Sequence, residues 1–171
     1  MKKILFMVIL LVSTVFLATG CFEDVLMGKM IYEEYDNGLS IEYVNKSKYL
    51  HKITFGEVFF KNDHTISIHT VSGVINISNQ LSTEKYLIKR GFKTLANTNN
   101  AFVYEDSDVE IIVHRYTSKL DFVSIVERRK MPQESLVNIN IGGNTIKCPN
   151  SPDAIHNMFG VPIVISSYNF L

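Results

Sequence analysis

A chain of 171 residues with 17 Lys and Arg against 17 Asp and Glu has the length of a single domain and no excess charge for an ionic partner. Its Lys and Arg are scattered along the chain rather than clustered, which argues against nucleic-acid binding. Two cysteines, Cys21 and Cys148, are too few for a disulfide framework. In chain order the first element is a leader: Met1-Lys2-Lys3, an uncharged apolar run over residues 4–17, and small residues before Cys21. These are the parts of a secretory signal, and the run is too short to span a bilayer comfortably.

The residues before the cysteine are Leu17, Ala18, Thr19 and Gly20. This segment resembles the lipobox of bacterial lipoproteins, which sets small or aliphatic residues before an invariant cysteine; Ala18 departs from the commonest form, which has Leu there. The resemblance covers residues 1–21 only. It implies a signal peptide over 1–20, cleavage between Gly20 and Cys21, and acylation of Cys21 at its sulfur and its new amino group, which attaches the protein to a membrane of the cell envelope. Ordinary signal cleavage that leaves a plain thiol, and an uncleaved anchor helix, are the other readings. Phe22 stands where an aspartate retains enteric lipoproteins in the inner membrane, so in a cell with two membranes the expected place is the outer membrane, facing the periplasm.

Cleavage takes 20 residues from 171 and leaves 151; without Lys2 and Lys3, 15 basic side chains face 17 acidic ones, a formal charge of −2. A chain of that size buries about 68–70% of its unfolded surface and needs neither metal nor disulfide to fold. With Cys21 acylated, Cys148 has no intrachain partner. It is a nucleophile or an intermolecular disulfide on one reading, and a small half-buried apolar residue on the other.

Residues 22–35 place Val25, Leu26, Lys29, Met30 and Glu33 at helical spacing, which predicts a short amphipathic helix or a partly ordered tether over 21–38. Gly28 and the acids at both ends weaken the helix, and Glu33-Glu34 with Asp36 argue against close contact with anionic lipid. From Asn37-Gly38 the period becomes two, and Leu39, Ile41 and Tyr43 open a strand. Residues 52–61 predict a second strand broken by Gly56. Over 65–78, Ile66 and Ile68 share one parity and Val71, Ile75 and Ile77 the other, so a turn near Ser72-Gly73 is needed to bring both sets to the core.

Ser82 opens the clearest helix, with Glu84 in its first turn, Lys89-Arg90 in its last, Gly91 as the left-handed residue after it, and Phe92 expected to fold back on Leu87. Residues 92–96, 101–105, 109–116 and 121–128 then predict an antiparallel meander joined by short polar turns. Val137, Ile139 and Ile141 alternate up to the hairpin turn at Gly142-Gly143-Asn144. Ser151-Pro152-Asp153 starts a helix through Phe159, Gly160 ends it, and a β-rich tail follows from Ile163. The connection through Phe159-Gly160-Val161-Pro162 looks like one common in small envelope-assembly lipoproteins, but there further strands follow, and here it counts as local structure. The expected fold is a single α+β domain over 39–171, mainly antiparallel sheet with one or two short packing helices.

Candidate chemistry is sparse. Acids alternate through Glu105-Asp106-Ser107-Asp108-Val109-Glu110 as in a calcium loop, but Ile111 stands where glycine is required, so the segment predicts a hairpin turn. His64 and His69 differ by an odd number and face opposite sides of an unbroken strand, which denies them a shared metal. His51 and His156 fall in no recognised motif. His114, with Ile112 and Tyr116 on its face, is a partly buried strand residue or a catalytic base. Tyr32, Tyr35 and Tyr43 are sheet aromatics or a recognition platform. No G-x-S-x-G turn, H-E-x-x-H helix or glycine-rich phosphate loop occurs. The expectation is a lipid-anchored, non-catalytic module without cofactor or metal that binds another protein, as an assembly accessory or as an immunity protein against a toxin. Two other readings stay open. A carrier of a small apolar ligand or lipid requires a cavity of several hundred cubic ångströms; a hydrolase requires His114 or Cys148 in a cleft beside a carboxylate.

Overall fold

The computed structural model describes residues 28–61, 63–96, 100–116, 119–129 and 134–169. The leader, Cys21 and the residues up to 27 lie outside them, as do the turn residues Asn97-Thr98-Asn99 and Met131-Pro132. The chain forms β1 (Lys29–Glu34), β2 (Leu39–Val44), β3 (Lys52–Gly56), α1 (Glu57–Phe60), β4 (Thr65–Thr70), β5 (Gly73–Ile77), α2 (Glu84–Lys89), β6 (Lys93–Thr94), β7 (Ala101–Glu105), β8 (Val109–Tyr116), β9 (Lys119–Glu127), β10 (Val137–Ile141), β11 (Asn144–Lys147), α3 (Pro152–Phe159) and β12 (Val164–Asn169). One sheet has the order β12-β1-β2-β3-β9-β8-β7-β6 and the other β11-β10-β4-β5. Every pairing is antiparallel, which gives the α+β fold expected, with short helices around a dominant sheet.

Alternation along each strand explains the core. In the large sheet one cross-strand row runs Ile165, Glu33, Ile41, Ile53, Ile125, Ile111, Tyr104 from β12 to β7. In the small sheet Ile68 lies beside Ile75 and Val137, and Ile66 beside Ile77 and Ile139. Apart from Ile165 at the exposed edge and Glu33, these inward residues join Phe55, Phe59, Phe60, Leu87 and Ile155 in one buried cluster, each large side chain contributing about 1.5–3 kcal/mol through removal from water. The 70–73 turn brings Ile66, Ile68, Ile75 and Ile77 together as the parity argument requires, while Val71 sits in the turn itself and is exposed.

Several local expectations hold. Gly91 has φ +91, and the Phe92 N–H donates to the Leu87 carbonyl at 3.1 Å, closing α2 with both side chains buried. Ser151 caps α3 with Pro152 behind it. Gly38 turns β1 into β2 at φ +81, where a Cβ would lie 2.9 Å from the Phe59 amide nitrogen, so a side chain fits neither the conformation nor the space.

Two expectations fail. The predicted strand over 52–61 stops at Gly56, and Glu57–Phe60 forms a helical turn that puts Phe59 and Phe60 into the core. The predicted helix or tether over 21–38 becomes β1 from Lys29 onward, an inner strand with β12 on one side and β2 on the other. A helix of that length is marginal alone in water, whereas two ladders engage the strand on both sides, so pairing overrides the helical spacing.

Candidate functional site

The row of isoleucines carries one carboxylate. Glu33 occupies an inward position of β1, and only 3% of it is exposed. Three donors converge on it: the Tyr43 hydroxyl on Oε1 at 2.8 Å, and the Tyr35 hydroxyl at 3.1 Å and His156 Nε2 at 2.7 Å on Oε2. Tyr43 comes from β2 and shares the inward face; Tyr35 follows β1; His156 is brought over the sheet by α3, whose Ile155 and Pro152 anchor it in the core. Tyr35 also packs against the rings of His156 and Phe159 at 6.4 and 6.5 Å. An ionised carboxylate only accepts, so its partner ring nitrogen carries the proton. Burial first, and then the Glu33 hydrogen bond, push the Tyr43 hydroxyl up to about 12; burial and the Glu33 charge raise Tyr35 as well.

His156 also lines an open cleft of about 530 Å³ between the β2–β3 loop and the start of α3, together with Tyr43, Lys46, Ser47, Lys48, Ser151, Pro152 and Asp153. The two hydroxyls there have local duties. Ser47 donates to the Tyr49 carbonyl at 2.8 Å, and Ser151 accepts from the Ala154 amide at 3.4 Å. The arrangement therefore orients a histidine and ties α3 to the sheet, and it presents cationic and hydroxyl groups to solvent; it does not pair the histidine with an activated nucleophile.

Of the residues singled out from the sequence, Tyr35 and Tyr43 meet at Glu33 and the others are dispersed. His114 lies on the outer face of β8, with Nδ1 2.8 Å from Asp121 Oδ2 and its ring stacked on Phe122 at 5.1 Å, a half-exposed cross-strand pair. Cys148 is buried, and desolvation, with the Glu127 charge behind it, pushes its thiol up to about 12. That is the reverse of nucleophile activation. Native protein is expected to leave Cys148 unmodified by a maleimide at neutral pH and to react fully in denaturant; alkylation of the folded chain at the rate of a free thiol would show an accessible thiolate. The adjoining hollow admits about 10 Å³, roughly one water.

Asp106 makes the turn expected of its segment. Burial raises its carboxyl, but the amides of Val71, Asp108 and Val109 and the Tyr104 hydroxyl outweigh this and hold it below the usual range. His64 packs edge-on against Phe59 while His69 contacts Asn138 on the outer face of β4, and no group of metal-ligating side chains occurs among the described residues. Glu33 and His156 were not legible as partners, because the segment holding Glu33 carries helical spacing.

The other open feature is an edge. Among the described residues β12 ends the large sheet, and Val164, Ile165, Ser166, Ser167 and Tyr168 are all exposed. It has no charge and no proline, whereas the opposite edge, β6, is two residues long and carries Lys93. Compared with protein-family models, curated protein sequences and solved structures, the chain matches none.

Proposed function

We propose that the chain is a lipid-anchored protein of the bacterial cell envelope, held by acylated Cys21, which binds another protein without catalysis by adding a strand of that partner to β12. The observation that carries this reading is the unguarded edge. Natural sheet edges are blunted by charge, proline or brevity because they template pairing, and β12 has none of these over six residues. Ile163 and Ile165 are 64% and 65% exposed, so the edge offers backbone hydrogen bonds together with apolar side chains on the inward face, the combination used in strand-addition recognition. The core offers the carrier reading little support, since it is filled with large side chains and the hollows of about 340 and 530 Å³ are clefts open to solvent rather than enclosed cavities.

The test compares acylated wild type with an Ile165→Lys, Ser167→Lys variant in affinity capture from native membranes, followed by titration of the purified partner. Binding should fall at least tenfold with an unchanged melting temperature, because both side chains are exposed. Equal binding by the variant, or copurified lipid without protein, overturns the proposal.

A further inference from the structure

We infer that the β2–β3 loop corner, formed by Lys29, Lys46, Lys48 and Tyr49, lies against the anionic headgroup layer of the membrane that holds the anchor, with lipid phosphate entering the cleft beside α3. The inference rests on the acylation of Cys21 proposed above. Eight peptide units separate Cys21 from Lys29, which reach about 29 Å at most. β1 starts at this corner and carries the chain away from it.

Charge separates the two ends of β1. Lys29 begins the strand, and its carbonyl accepts from the Asn45 amide at 2.8 Å, which fastens the β2–β3 loop beside it. Lys29, Lys46 and Lys48 are exposed and make no ion pair with a described residue. Among the residues lining the cleft the carboxylate is Asp153, while Glu33 behind it is taken by His156 and Glu42 nearby by Lys52. Glu34 and Asp36 lie at the other end of the strand, about 17 Å away at strand spacing. The acids that argue from the sequence against lipid contact are thus either buried or carried away from the membrane. Glu23 and Asp24 in the tether oppose the attraction, and three lysines must outweigh them. Tyr49, 40% exposed at the loop tip, adds an aromatic ring of the kind that settles at headgroup depth. Lysines near an anionic surface attract it within a Debye length, so the corner would fix the orientation of the body and leave β12 standing out from the membrane for a partner.

The test places the acylated full-length mature protein on phosphatidylcholine vesicles with and without phosphatidylglycerol and measures amine acetylation of each lysine by mass spectrometry. Lys46 and Lys48 should be modified about tenfold more slowly on the anionic vesicles, with the protection lost in high salt. Lys85, Lys89 and Lys93, on α2 and β6, should react equally on both. Equal rates at Lys46 and Lys48 overturn the inference, and so does protection by inorganic phosphate without vesicles, which would assign the cleft to a free anion. In a Lys46→Asn, Lys48→Gln variant, chosen because Lys46 has φ +70 and Asn tolerates that region, protection of Lys29 should also disappear. Failure of the anchor reading gives a different result: no acyl mass on the chain and no salt-resistant co-flotation with either vesicle.

Discussion

Replacing Cys21 by Ser is expected to move the protein from the membrane fraction to the soluble fraction while leaving its fold intact. One acyl chain holds a protein marginally, since each buried CH₂ contributes roughly 0.8 kcal/mol, but several chains on one residue hold it in effect permanently. No helix among the described residues is long and apolar enough to cross a membrane, and the buried cluster of the described residues is built from Tyr35 onward, so the fold should survive the substitution. Fractionation with a thermal melt checks both halves. The residual attraction of the Lys46 and Lys48 corner should appear only as weak, salt-released binding to anionic membranes. Salt-resistant retention of the Cys21→Ser protein would show that the body holds itself to the membrane by some other surface.

Removing the carboxylate of Glu33 should be the most destabilising single polar change. In Glu33→Ala the hydroxyls of Tyr35 and Tyr43 and His156 Nε2 lose their common partner under α3, and each buried polar group left unsatisfied costs about 1–3 kcal/mol, so the loss should exceed that of any single bond. Glu33→Gln keeps the shape and one acceptor, and should cost about 1–3 kcal/mol. Urea unfolding of both variants gives the comparison; equal losses, or losses within error of a surface substitution, would show that the network contributes little.

The same cluster sets an alkaline limit. Tyr43 ionises near 10 in the unfolded chain and is pushed up to about 12 in the folded one, first by burial and then by its Glu33 hydrogen bond. A folded value above the unfolded one means that its stabilisation is complete below pH 10 and is lost as pH rises toward 12. In Glu33→Gln the carboxylate's share of that shift is gone, so the loss across this window should be shallower than in the wild type.

Local chemistry accounts for the parts of the fold that were legible. Gly91 with Leu87 and Phe92, Ser151-Pro152-Asp153, Gly142-Gly143-Asn144 and the Asp106 turn each specify backbone geometry within a few residues, and each forms as its residues require. The meander of β7, β8 and β9 follows from strand periodicity and short turns. By contrast, 57–60 becomes a helical turn because Phe59 and Phe60 find the core from that conformation.

The chain's own order of residues specifies the alternation of nearly every strand and the caps and turns between them, because these depend on neighbours a few positions apart. The burial of Glu33, its meeting with His156 across 123 positions, the separation of acidic and basic ends along β1, and the open edge at β12 depend on which strands lie side by side. Pairing of β1 with both β2 and β12 joins segments from opposite ends of the chain, and no local spacing encodes a contact whose stabilisation exists only once the sheet has closed around it.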